Sequence, residues 1–123
     1  MFCATIYSMK TLAELTKRIV AFRDARDWQQ FHNPKDLAIS LVLEAGEVME
    51  HFQWKNKEEM DKYVIEHKDE IGEELADTLY WILLMSHDLK IDVIKSFEKK
   101  MNKNEEKYSV EKAKGKHTKY NKL

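Results

Sequence analysis

Two pairs of acidic residues recur at the same spacing in the middle of the chain. Glu44 and Glu47 form the first pair, and Glu74 and Asp77 form the second. Residues three apart lie on nearly the same side of a helix, so each pair would present two carboxylates together beside an apolar stripe. Like charges at this spacing destabilise a helix by roughly 0.2–0.5 kcal/mol. A compensating cation is therefore expected, and all-oxygen ligation predicts Mg²⁺, with Mn²⁺ as a substitute.

Two other interpretations of these acids stand beside the metal site. An ordinary solvated acidic face is the simplest of them, although two matched pairs count against it. A di-iron centre in a helical bundle would need Glu-x-x-His motifs, and none occurs in the sequence. Single histidines more often lie on a surface or in a core than on a metal. Among them His51, one turn after Glu47, is the strongest candidate for a functional role.

Aromatic residues frame the same region. Trp28, Trp54 and Trp81, together with Tyr80, lie close in sequence to the acidic pairs or to the ends of the helices that carry them. A flat ring stacked on a nucleobase contributes roughly 1–3 kcal/mol, so these side chains are candidates for binding a base. Packing in a core or at a subunit interface explains any one of them equally well.

The elements that must position these residues are helices. Three glycines and one proline in 123 residues are too few for an all-β domain or for the tight loops of a nucleotide-binding α/β fold. Apolar periodicity, and Asn33 as an N-cap before Pro34, place the helices. The predicted helices are Thr11–Trp28, Pro34–Trp54, Asp69–Leu89 and Ile91–Lys107, with a short helix or a connection over Asn56–Lys68.

Composition and charge limit the partners. A net charge of −1 gives no overall field toward nucleic acid. The longest apolar run, Leu79 to Met85, is far shorter than the roughly 20 residues of a membrane span, and no secretory leader is visible, so we expect no membrane contact and a cytoplasmic protein. The lone Cys3 cannot form an internal disulfide. The segment Lys99–Leu123 is basic, with nine lysines against three acids.

Three stretches of sequence together resemble a known family. They are Arg26-Asp27-Trp28-Gln29-Gln30-Phe31-His32-Asn33-Pro34, Glu44-Ala45-Gly46-Glu47-Val48-Met49-Glu50-His51-Phe52-Gln53-Trp54 and Glu73-Glu74-Leu75-Ala76-Asp77. They resemble the MazG-like all-α nucleoside triphosphate pyrophosphohydrolases, close to the small branch related to dCTP pyrophosphatase. The resemblance implies an all-α bundle of four to five helices, one domain over residues 1–123 with a basic tail at about 109–123, and a homo-oligomer, either a dimer or a tetramer.

The resemblance also implies roles for particular residues. Glu44, Glu47, Glu74 and Asp77 are expected to hold Mg²⁺, and Trp28 and Trp54 are expected to form the base pocket. Residues of the C-terminal part that match the family are expected to contact phosphate: Asn104, Lys107, Tyr108, Lys119 and Tyr120. Ile19 and Trp81 depart from dCTP-specific relatives, so the preferred base stays open.

These residues predict an enzyme that hydrolyses a nucleoside or deoxynucleoside triphosphate, such as dCTP or a modified pyrimidine nucleotide, to the monophosphate and pyrophosphate. Metal ions would neutralise phosphate charge. Glu47 or Glu50 would orient or deprotonate the attacking water, with Glu50 the weaker candidate because it faces away from the apolar stripe. The alternative is a non-enzymatic helical protein whose acidic face binds a basic partner.

Overall fold

The computed structural model describes residues 10–123, and Cys3 lies outside that range. Within it the chain is helical and contains no strand. Six α-helices follow one another: α1 Leu12–Asp24, α2 Pro34–Glu50, α3 Lys57–Glu66, α4 Lys68–Asp88, α5 Val93–Lys107 and α6 Val110–Ala113, with 3₁₀ turns at Gln29–Phe31 and Tyr120–Lys122. This confirms the predicted all-α class. None of the described helices is long and apolar enough to cross a membrane.

Short polar residues begin most of these helices. Thr11, Asn33, Asn56 and Asp92 each accept a hydrogen bond from the backbone N–H three residues later. Each bond satisfies one of the amide groups that a helix leaves free at its first turn. The predicted Asn33 cap, with Pro34 in the first turn of α2, is confirmed.

The first two helices are shorter than the sequence predicted. α1 ends at Asp24 rather than at Trp28, because Asp27 has a φ of 53° and the Trp28 N–H turns back to the Arg23 carbonyl. α2 ends at Glu50, and the turn that follows brings Trp54 to a φ of 68°. Positive φ does not continue an α-helix, so both tryptophans stand in turns.

Later elements lie close to their predicted positions. The charged segment after Asn56 forms the helix α3, and α4 follows it almost without a break. The region beyond Tyr108, where the sequence showed no pattern, forms the short helix α6 and a final 3₁₀ turn.

The chain divides into two compact units, one ending at Leu89 and one covering Lys90–Leu123. In the first unit α2 packs along α4, α1 packs on α4, and α3 touches α4. Leu37, Leu83 and Leu84 are its fully buried apolar residues. Leu75 and Leu79, which lie four residues apart on one side of α4, are both exposed in the single chain. The second unit contains α5, α6 and the final turn.

Candidate active site

The carboxylates that the sequence singled out converge where α2 crosses α4. Carboxylate oxygens of Glu44, Glu74 and Asp77 all lie within 4.8 Å of one another. These three residues are called the carboxylate cluster below. Glu47 is not part of the tight group, but its carboxyl faces both Glu44 and Glu74 closely enough to interact with them. The structure thus brings the two acidic pairs together, as their spacing on two packed helices predicted.

The electrostatics of the cluster reflect this crowding of like charges. A hydrogen bond with Glu47, followed by desolvation and by the neighbouring negative charges, raises the pKa of Glu74 to about 7. Burial raises the pKa of Glu44, and the neighbouring Glu47 carboxyl raises it further. A hydrogen bond from the Trp81 indole lowers this pKa but offsets only part of the rise. Carboxylates gathered without a counter-charge hold protons more tightly than usual. A bound cation would reverse that effect.

The surroundings of one atom of the carboxylate cluster indicate whether a metal ion would fit there. Glu44 Oε2 is buried, and no described residue gives it a hydrogen bond. A buried acceptor without a partner is costly, and a cation coordinated at this point would satisfy it. Three oxygen donors within 4.8 Å match the preference of Mg²⁺ for a few carboxylates, with waters and substrate phosphates completing its coordination. The residues present therefore fit a hard divalent cation.

An aromatic cavity of about 460 Å³ opens on one side of the cluster. Its walls include Trp28, Tyr80 and Trp81, and its floor includes Glu44 and Asp77. The remaining lining residues are Arg18, Ile19 and Phe22. A cavity of this size with flat apolar walls and a few polar groups is typical of a small-molecule site.

Edge-to-face contacts fix the aromatic walls. The Phe22 ring centroid lies 5.7 Å from that of Trp28 and 6.4 Å from that of Tyr80, both nearly perpendicular. The rings of Tyr80 and Trp81 are 5.0 Å apart. Burial raises the pKa of the Tyr80 hydroxyl, so this group stays neutral at physiological pH. Such packing leaves ring faces available to a flat ligand.

A second, more polar cavity of about 340 Å³ is lined by Glu47, Glu50, His51, Tyr63 and Glu74. Glu50, the weaker candidate for orienting water, lies here and not in the carboxylate cluster. The sequence marks His51 as a candidate without a role, and it gives no reason to select Tyr63. The only signal for Tyr63 was a weak apolar rhythm in α3, which does not reveal a contact with α2. The sequence also gives no reason to select Phe22 and Arg18, which line the aromatic cavity. The periodic pattern of a helix face is the same whether that face lines a core or a cavity.

The structure does not bring every predicted residue to these cavities. Trp54 is 91% exposed in the single chain and lines neither of them. The predicted phosphate contacts lie in the second unit, where the Tyr108 and Tyr120 rings are 5.9 Å apart and Lys107 Nζ lies 4.7 Å from the Tyr120 ring centroid. The backbone carbonyl of Asn104, in α5, accepts a hydrogen bond from the backbone N–H of Tyr108, and Lys119 precedes the final turn. Their contact with a substrate stays a prediction.

Comparison with known proteins decides the family. The model of the MazG-like family matches residues 39–123. The chain belongs to the MazG-like family. The match begins within α2 at Ile39, so it covers the whole carboxylate cluster, the part of the first unit that follows Ile39, and the second unit.

Individual relatives agree with this MazG-like assignment. The chain is 33% identical to dCTP pyrophosphatase 1 of Rattus norvegicus over 92% of its own length and 68% of that protein. It is 31% identical to dCTP pyrophosphatase 1 of Homo sapiens over the same shares. A crystal structure of a pyrophosphatase from Archaeoglobus fulgidus superposes with a TM-score of 0.76 at 36% identity, covering 85% of this chain and 98% of that one.

These comparisons confirm the predicted family and the all-helical fold. They support an enzyme of the nucleoside triphosphate pyrophosphohydrolase class. The alternative of a non-enzymatic interaction protein gains no support, since each of these relatives is named as a pyrophosphatase.

Proposed function

We propose that this protein is a Mg²⁺-dependent nucleoside triphosphate pyrophosphohydrolase that converts a nucleoside or deoxynucleoside triphosphate to the monophosphate and pyrophosphate. The observation that carries the proposal is the convergence of Glu44, Glu74 and Asp77 beside an aromatic cavity. A pyrimidine deoxynucleotide such as dCTP is the first substrate to test, since the named relatives are dCTP pyrophosphatases.

The aromatic cavity would hold the nucleobase. Trp28 and Trp81 offer flat faces, and their edge-on neighbours Phe22 and Tyr80 keep them in place. Base stacking on such rings contributes roughly 1–3 kcal/mol and tolerates several bases. Discrimination between bases must then come from polar groups of the same cavity, for which Arg18 and Tyr80 are candidates.

The acidic residues would hold the cation and direct the water. Glu44, Glu74 and Asp77 supply the ligand oxygens, with Glu47 beside them as the fourth. When bound, Mg²⁺, or Mn²⁺ in its place, neutralises phosphate oxygens and lowers the pKa of a water. Glu47 is the better placed carboxylate to orient the water that attacks the α-phosphorus, because it faces the cluster, whereas Glu50 lines only the polar cavity.

The C-terminal unit would contribute phosphate contacts. Lys107, Tyr108 and Tyr120 lie together there, and Asn104 and Lys119 flank them. Lysine ammonium groups act as point charges toward phosphate, so this group of side chains suits a triphosphate. The basic composition of the tail from about residue 109 also favours binding of phosphate.

We further propose that the active form is a homo-oligomer, a dimer or a tetramer. The α2 side chains of Ile39, Val42 and Leu43 are exposed and line an apolar groove, and exposed patches of this kind on helical proteins mark contact surfaces. A second copy covering this face would also give the exposed Trp54 a place against a neighbouring site. Val42→Glu should lower the mass measured by light scattering while the chain stays helical, and an unchanged mass would contradict the assignment of this face.

The test of activity is product analysis. Each of the common ribo- and deoxyribonucleoside triphosphates is incubated with the protein, with and without Mg²⁺, and pyrophosphate is separated from orthophosphate. Mg²⁺-dependent release of pyrophosphate with the monophosphate supports the proposal, and the ranking of bases resolves the preference that Ile19 and Trp81 left open. Release of orthophosphate alone, or turnover that persists in a chelator, would overturn it.

A further inference from the structure

The polar cavity contains two side chains that the proposed reaction has not used. His51 and Tyr63 line it together with Glu47, Glu50 and Glu74. An ionised carboxylate can only accept hydrogen bonds. The imidazole and the phenol are the side chains of this cavity other than carboxyls, and both can donate a hydrogen bond to an acceptor-rich ligand.

The acidic residues connect the two cavities, although no described residue lines both of them. Glu44 and Asp77 line the aromatic cavity, whereas Glu47 and Glu74 line the polar one. Because Glu44, Glu74 and Asp77 meet within 4.8 Å, a ligand held at the cluster can extend into both cavities. In a nucleoside triphosphate the α-phosphate stands between the base and the two outer phosphates. If the base occupies the aromatic cavity, the outer phosphates extend toward the polar one.

The His51 ring is held in one orientation. Its Nδ1 lies 2.7 Å from the Tyr63 hydroxyl, and the Tyr63 ring is stacked on His67 at 4.1 Å, with an angle of 21° between the planes. Lys55 Nζ lies 4.2 Å from the Tyr63 ring centroid. A phenol that donates a hydrogen bond to Nδ1 pairs with the tautomer in which the other ring nitrogen, Nε2, carries the proton. With Tyr63 as the donor in this contact, His51 can in turn donate a hydrogen bond from Nε2 to a ligand.

We propose that the polar cavity is the subsite for the outer two phosphates, which leave as pyrophosphate, and that His51 donates a hydrogen bond to them while Tyr63 positions its ring. This inference rests on the proposed function, because it takes a triphosphate as the substrate. Glu47, Glu50 and Glu74 would repel bare phosphate, so the subsite accepts pyrophosphate together with its divalent cation. His51 is then a substrate-binding residue, and Tyr63 is a positioning residue.

The test compares two ligands that occupy different parts of the site. Binding of magnesium pyrophosphate and of a nucleoside monophosphate is measured by calorimetry for the wild type and for His51→Ala, His51→Gln and Tyr63→Phe. A hydrogen bond to a charged group is lost in His51→Ala, which should weaken pyrophosphate binding about tenfold and leave monophosphate binding unchanged. Gln places a donor near the position of Nε2 and should restore part of the affinity. Tyr63→Phe should fall between the wild type and His51→Ala.

His87 provides a matched control. It is an exposed histidine near the end of α4, roughly 20 Å along the helix from Glu74 at a rise of about 1.5 Å per residue. His87→Ala should leave the binding of both ligands as it is in the wild type. Pyrophosphate binding that is unchanged in His51→Ala would overturn the inference, and so would an equal loss of both ligands, which would show general damage. A wild type that turns over no triphosphate would refute the proposed function. The binding measurements are independent of turnover, so the two failures can be told apart.

Discussion

Arg23 and Asp88 form an ion pair, buried on the arginine side, that joins the end of α1 to the end of α4. The guanidinium donates two hydrogen bonds to the carboxylate, at 2.6 and 2.9 Å, and the Arg23 side chain is only 1% exposed. Arg23 also accepts the Trp28 N–H at its carbonyl, and its guanidinium lies 3.5 Å from His32, whose ring packs edge-on against Trp81. Arg23 therefore contacts one residue of the aromatic cavity directly, Trp28, and a second, Trp81, through His32.

Removing the carboxylate should destabilise the fold. Asp88→Ala would remove the carboxylate that accepts both hydrogen bonds from the buried Arg23 guanidinium and leave only Asp24 among the described residues, 3.8 Å from Nε, as an acidic neighbour. Breaking a buried pair costs roughly 3–5 kcal/mol. We expect the lower part of that range, since Asp88 itself is 21% exposed. Urea unfolding followed by circular dichroism measures the change in the free energy of unfolding.

Asp61 offers the matched control for that measurement. Its carboxylate accepts a hydrogen bond from Lys57 at 2.7 Å, but both side chains are exposed. Exposed pairs contribute about 0–1 kcal/mol, so Asp61→Ala should change stability little. Equal effects of the two substitutions would refute the structural role of the Arg23–Asp88 pair.

The same pair predicts how stability depends on pH. Burial alone would raise the pKa of Asp88, but hydrogen bonds from Arg23 and His87 outweigh it and hold that pKa below the usual value. A carboxyl whose folded-state pKa is depressed stabilises the protein above its unfolded pKa of about 4 and loses that contribution as pH falls through the folded value. The difference in unfolding free energy between wild type and Asp88→Ala should thus be constant near neutral pH and shrink below about pH 4. A difference that grows on acidification would contradict this assignment.

Loss of one acidic ligand should remove activity without unfolding the protein. Glu47→Ala or Asp77→Ala deletes an exposed carboxylate from the edge of the helix pair, so the helical spectrum should persist while Mg²⁺-dependent turnover disappears. Glu73→Ala, next to Glu74 in α4, removes an exposed acid outside both cavities and should retain activity. Normal turnover in either ligand variant would show that the metal site is assigned to the wrong residues.

Trp28 should control substrate affinity. Trp28→Ala removes a wall of the aromatic cavity, and losing one stacked base contact of roughly 1–3 kcal/mol should raise KM about 10- to 100-fold. Phe31, which is exposed and lies outside the cavity, provides the control in Phe31→Ala. Steady-state kinetics with the best substrate separates the two variants, and a KM that moves equally in both would reject the cavity as the base site.

Local rules of helix geometry predicted much of this molecule. The spacing of Glu44 with Glu47 and of Glu74 with Asp77 predicted two acidic rims, and the fold brings them together because α2 packs along α4. The all-α class and the N-cap at Asn33 were also predicted from short-range sequence patterns. These features depend on residues within one or two turns of each other.

Features that depend on distant contacts were not predictable. The Arg23–Asp88 pair joins residues 65 positions apart, and the His51–Tyr63 contact joins the turn after α2 to α3, which no sequence periodicity relates. The positive φ angles at Asp27 and Trp54 end two helices earlier than their apolar pattern suggested, because turn geometry overrides periodicity there. Leu75 and Leu79 look like core residues in the pattern, yet they are exposed in the single chain.

The central claim is that water attacks the α-phosphorus at the carboxylate cluster. The most direct test is hydrolysis of the preferred triphosphate in water labelled with a heavy oxygen isotope, followed by mass spectrometry of both products. Attack at the α-phosphorus places the label in the nucleoside monophosphate and leaves the pyrophosphate unlabelled. Label found in the pyrophosphate would mean attack at the β-phosphorus and would contradict the account.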